Sequence, residues 1–125
     1  MSGADQTRGR PDPAQAEAAL EAFLAWMDVQ KGASVATRKA YATDLRQLAR
    51  FLENQGQSLG CPESVTRRHI QTFVAFLFRQ GDAKSPMARK LAAARSFFRF
   101  QQRSGLVREN VAAQVRNPRQ EKRHP

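Results

Sequence analysis

The sequence predicts an all-α fold, a compact bundle of four main helices plus a short fifth. Three observations predict it. Apolar side chains recur at helical spacing in four separate stretches, glycine and proline punctuate the chain between them, and no stretch alternates with the period of two that marks a strand. The chain has 125 residues, 41% of them hydrophobic, enough for one domain with its own core.

Each element carries its own signals. Residues 1–11 are polar and hold Gly3, Gly9 and Pro11, so a disordered extension is expected there. Asp12 followed by Pro13 reads as an N-cap with proline at the first helical position. Leu20, Phe23, Leu24 and Met27 then form a stripe that runs to about Gln30, and Gly32 ends it. Ser34 caps the second helix, whose stripe is Tyr41, Leu45, Leu48 and Leu52, with Gly56 as the stop. Residues 57–65 read as a loop. Thr66 caps a third helix striped by Ile70, Phe73, Val74 and Leu77, which Gly81 closes. Ser85-Pro86 repeats the cap-plus-proline signature. The fourth helix follows with Met87, Leu91, Ala94 and Phe98 inward, and Gly105 ends it. Asn110 caps a short fifth helix through Val111 to Val115. The helical domain thus spans 12–115, and 116–125 reads as a linker.

Charge narrows the function. The chain carries 21 Lys and Arg against 11 Asp and Glu, a formal net charge of +10. Residues 1–30 hold two arginines and five carboxylates, net −3, so the remainder is net +13. Such segregation points to a polyanionic partner for the later part of the chain. No apolar run is long enough for a membrane span, and the N-terminus lacks the apolar core of a secretory signal. A cytoplasmic protein without membrane attachment is expected. Cys61 is the single cysteine, and no Cys/His spacing suits a metal, so neither cofactor nor metal is expected. No nucleophile–base arrangement or phosphate-binding glycine loop is present, so no catalytic residue is assigned and the chain is not expected to be an enzyme by itself.

At 100° per residue, Lys39, Thr43, Arg46 and Arg50 fall opposite the second helix's apolar stripe. On the fourth helix, Ser85, Arg89, Ala92, Ser96, Arg99 and Arg103 lie opposite Met87–Phe98, with Arg95 on the flank and Lys90 nearby. That helix has no acidic residue, whereas the first has Asp12, Glu17, Glu21 and Asp28 and no basic one. Five like charges on one helix repel unless phosphates neutralise them. Arg67, Arg68 and His69 open the third helix against its macrodipole, which suits either solvation or a facing anion. The expected DNA-contacting set is Thr37, Lys39, Thr43, Arg46, Ser85, Arg89, Lys90, Arg95, Ser96 and Arg99.

Three stretches also resemble the N-terminal core-binding domain, SAM-like and of phage-integrase type, of tyrosine recombinases, most closely of the Xer type. They are FLAWMDVQKGASVATRKAYATDLRQLARFLENQG with Ser34, Thr37, Tyr41 and Leu45; VTRRHIQTFVAFLFRQG; and SPMARKLAAARSFFRFQQRSGLVRENVAAQV with Arg89, Leu91, Arg95, Phe97 and Phe98. The resemblance covers about residues 18–117. It implies half of a C-shaped clamp on a double-stranded recombination half-site, with the second and fourth helices crossing the major groove. It also implies a separate catalytic domain bearing a tyrosine nucleophile, toward which 116–125 would lead, and other recombinase subunits as partners. The isolated domain is then expected to be a monomer. On this view Lys39, Thr43, Arg89 and Ser96 reach base edges, while Arg95 and Arg99 position the DNA backbone. The family's short fifth segment often has Asn-Pro where this chain has Asn110-Val111, which bears on how that helix ends. The alternatives are a helix-turn-helix-like transcription regulator, or a helical protein-interaction module docking through the acidic first helix or Val111–Val115.

Overall fold

The computed structural model describes residues 12–81 and 83–117, with Lys84 and Ser85 described by backbone alone. Four α-helices build the fold: α1 (Pro13–Trp26), α2 (Val35–Asn54), α3 (Arg67–Arg79) and α4 (Lys84–Arg103). No strand occurs among the described residues. None of the helices in the described residues is long and apolar enough to cross a membrane.

The caps show why these segments start and stop where they do. The Asp12 carboxylate accepts from the Ala14 amide at 2.9 Å, and Ser34 Oγ accepts from the Thr37 amide at 3.1 Å. Thr66 does the same for His69, and His69 Nδ1 in return accepts from the Thr66 amide at 2.9 Å. This reciprocal capping box accounts for a histidine in the cationic opening of α3. The α1 helix tightens no further after Trp26 but widens into a π-helical turn, Met27–Lys31, before Gly32 adopts φ 59°, ψ 31°. Gly105, at φ 80°, lets Leu106 donate to the Gln101 carbonyl at 3.0 Å and so closes α4 in a Schellman turn.

Two boundaries differ from the sequence expectation. Ala83, not Ser85, occupies the N-cap of α4, and Ser85 lies in the first turn. Met87 already donates to the Ala83 carbonyl at 3.1 Å, and Pro86 fits because the first-turn amides have no helical acceptor anyway. The fifth helix is absent: Val111–Gln114 form turns, with Ala113 donating to Asn110 and Val115 to Ala112, each at 3.2 Å. Five residues are too few to nucleate a helix on their own. Their carbonyls are instead claimed by α4, because Arg95 Nη2 donates to Val115 at 2.6 Å and Nε to Ala112 at 3.4 Å. Asn110 caps the turn as its sequence suggests, and its Nδ2 donates to the Arg95 carbonyl at 2.9 Å. Of the expected linker 116–125, Arg116 is exposed and Asn117 buried, while 118–125 and the extension 1–11 lie outside the described residues.

All four apolar stripes turn into one core. Leu20, Phe23, Met27, Leu45, Leu48, Leu52, Ile70, Phe73, Leu77, Met87, Leu91 and Phe98 are all buried. Aromatic rings join the helices: Phe23 of α1 meets Phe97 at 5.7 Å and Phe100 at 5.9 Å, and Phe51 of α2 meets Phe73 of α3 at 5.4 Å. Trp26 meets Phe100 in a tilted contact at 5.3 Å, so it packs at the edge of the core. The connection between α2 and α3 is more than a loop. It buries Leu59 and Val65 and contains a 3₁₀ turn at Pro62–Ser64.

Candidate nucleic-acid interface

The α2 and α4 helices pack directly against each other. At its outer seam Arg89 pairs with Asp44, Nε to Oδ2 at 2.7 Å and Nη2 to Oδ1 at 3.0 Å. The carboxylate side chain is 1% exposed and the guanidinium 47%. Helical angles place the solvent faces of both helices on the outer side of this seam. On α2, Ala40, Gln47, Thr43 and Lys39 follow Asp44 around the helix away from the core; on α4, Ser96, Arg103 and Arg99 follow Arg89. The two faces therefore adjoin across the Asp44–Arg89 bridge.

Along these faces the expected residues divide into two groups. Lys39, Thr43 and Arg99 are exposed, as are Arg50 and Arg103, and none of the four cations has a carboxylate partner among the described residues. The Thr43 hydroxyl donates to the Lys39 carbonyl at 3.1 Å, so its oxygen keeps acceptor capacity only. Ser96 and Lys90 are half-buried on the same helix. Thr37 is exposed but sits in the α2 cap, where its Oγ1 accepts from Ser34 Oγ at 2.9 Å. Ser85 lies in the first turn of α4 by its backbone; its side chain is not described.

The second group is tied into the fold. Arg46 forms a bidentate pair with Glu17 of α1, Nη2 to Oε2 at 2.7 Å and Nε to Oε1 at 3.3 Å. Hydrogen bonding from Arg46 holds the Glu17 carboxyl below its ordinary range, and the same bond raises Arg46. Arg38 approaches Asp28 at 3.5 Å. Carboxylates of α1 and of the π-helical turn that follows it thus take up two cations of α2. Arg89 is likewise raised, first by its hydrogen bonds to Asp44 and then by that charge. Arg95 is half-buried and spends two donors on the carbonyls of 112 and 115. No exposed carboxylate dilutes α4, which holds none at all.

Asp44 is the residue that sequence reasoning missed. The sequence gives it no role beside the cationic row of its helix, yet it is buried at the α2–α4 seam. Its angular position gave a signal: it lies between Leu48 and Phe51 on the wheel, inside the apolar sector. Among the described residues no group of three His, Cys, Asp or Glu could hold a metal ion.

A family model described as "Phage integrase, N-terminal SAM-like domain" matches residues 20–105. The chain belongs to this family. Curated relatives extend the match of this SAM-like domain beyond the family limits. Tyrosine recombinase XerC of Oceanobacillus iheyensis is 32% identical over 111 residues, 89% of this chain and 36% of that protein. Tyrosine recombinase XerC of Natranaerobius thermophilus is 36% identical over 103 residues, 82% of this chain and 34% of that protein. Tyrosine recombinase XerD of Agrobacterium fabrum is 34% identical over 111 residues, 89% and 33% respectively. The chain spans about a third of the length of these recombinases. No solved structure matches it. The SAM-like, all-helical class expected from the sequence is that of the matched family.

Proposed function

We propose that this SAM-like domain is the DNA-binding module of a site-specific tyrosine recombinase and grips a recombination half-site with α2 and α4. One observation carries the proposal: two adjoining solvent faces, on α2 and α4, present cations with no carboxylate partner among the described residues, and α4 has no carboxylate to compete with phosphates. Lys39, Arg50, Arg99 and Arg103 contact the phosphate backbone, which fixes register, and Lys39 also reaches toward bases. Thr43, Arg89 and Ser96 face base edges in the major groove. Arg46 and Arg95, each tied to the fold by one edge of the guanidinium, offer DNA only their remaining donors. Strand cleavage falls to another part of the recombinase, and other recombinase subunits are its protein partners. The family membership and the Xer relatives support this division of labour.

Fluorescence anisotropy with a labelled duplex tests it. Replacing Lys39 and Arg99 together by alanine should weaken duplex binding by about tenfold or more at low salt, since each cation that no longer meets a phosphate also releases no counterion. Equal affinity in the double variant and the parent chain would remove α2 and α4 from the interface.

A further inference from the structure

The Asp44–Arg89 pair leaves one edge of a guanidinium committed and the other free. Nε–H and one Nη2–H are spent on the two carboxylate oxygens. Planarity then fixes where the rest point: the second Nη2–H and one Nη1–H form a parallel fork at the tip of the group. Asp44 is held in place by burial, with its side chain 1% exposed, while Arg89 remains 47% exposed at the seam between two solvent faces. Charge distinguishes this arginine from its neighbours. Lys39, Arg50, Arg99 and Arg103 have no carboxylate partner among the described residues, whereas Arg89 sits beside a full negative charge. A paired arginine gains little from another anion, because the nearby carboxylate opposes the approach of a phosphate. It keeps its full value toward a neutral target carrying two acceptors in one plane. The O6 and N7 edge of guanine is such a target.

We propose that Asp44 is a positioning residue that converts Arg89 from a phosphate contact into a directional reader of a guanine in the major groove. The proposal rests on the DNA-binding role argued above. Asp44 touches no base; it acts by holding the fork in one orientation and by cancelling the charge that would otherwise draw Arg89 to the backbone.

The test uses the full chain and a random-sequence duplex library, with bound and free fractions sequenced and the salt dependence of binding measured on the enriched duplex. The parent chain should prefer G·C at one position by about 5- to 100-fold. Asp44→Asn should lower that preference at least about threefold and make the slope of log affinity against log salt steeper by up to about one, because Arg89 regains an uncompensated charge. A role in stability alone would weaken binding to all sequences and leave both readouts unchanged. If Asp44→Asn does not fold, Asp44→Leu/Arg89→Met removes both charges together and so leaves no buried carboxylate without its partner. This double variant should keep the parent's salt slope and lose the G·C preference. Retention of the preference in Asp44→Asn or in the double variant overturns the positioning role while the DNA-binding role stands. A parent chain with no salt-dependent duplex binding overturns both.

Discussion

Arg95 belongs to the fold first and to any ligand second, and its removal puts a number on that order. Arg95→Ala deletes two charge-assisted hydrogen bonds, Nη2 to the Val115 carbonyl at 2.6 Å and Nε to the Ala112 carbonyl at 3.4 Å. The shorter bond is worth about 1.5–3 kcal/mol and the longer one, near the limit of useful geometry, about 0.5 kcal/mol or less. Half-burial lets water reach the freed carbonyls and offsets part of the loss, so the expected cost is about 1.5–3 kcal/mol. In a domain of this size that corresponds to a fall in Tm of about 6–13 °C. Urea titration followed by far-UV circular dichroism measures it as a lower midpoint at unchanged slope. Arg99→Ala is the control on the same helix, because Arg99 is exposed and has no carboxylate partner among the described residues; it should shift stability by less than about 0.5 kcal/mol. If Arg95→Ala and Arg99→Ala are equally stable, then Arg95 does not hold residues 110–117 to α4, and its carbonyl bonds are not what keeps a fifth helix from forming.

Two further outcomes follow from the packing and the charges. Gly60→Ala should cost about 1–3 kcal/mol in a urea titration, since a Cβ there would lie 2.6 Å from Gln15 Cβ and 2.7 Å from its carbonyl carbon; a neutral result would mean the 57–65 connection moves freely over α1. Glu17→Gln should cost no more than about 0.5 kcal/mol at neutral pH, because both partners of the Glu17–Arg46 pair are nearly half exposed. The carboxyl is depressed in the folded state, so its contribution is present above the ordinary carboxylate pKa and disappears as pH falls through the lowered one. Parent and variant should therefore converge in acid, and a gap that widens there would contradict the pairing.

What could be read from the sequence was whatever repeats locally. The four stripes, the caps at Asp12, Ser34 and Thr66, and the stops at Gly32 and Gly105 each depend on residues a few positions apart, and the structure has them in those roles. The features that escaped depend on distant partners. Asp44 and Arg89 are 45 positions apart, Glu17 and Arg46 are 29 apart, and Arg95 meets Val115 20 residues on. Helical periodicity assigns a residue to a side of its own helix but does not say which neighbour waits there. The cationic rows were therefore legible as rows, while the distinction between free and carboxylate-bound cations within them was not. His69 shows the same limit at short range, because histidine is not among the residue types by which a capping box is recognised in sequence.

The decisive quantity is the salt dependence of duplex binding by the chain. Four cations on the adjoining faces that have no carboxylate partner among the described residues, with Arg46 and Arg89 largely neutralised by carboxylates, should give log affinity against log salt a slope of about −4. Alanine at Lys39 or Arg99 should flatten it by about one each. A slope between zero and about −1, unchanged by either substitution, would contradict an interface built from α2 and α4.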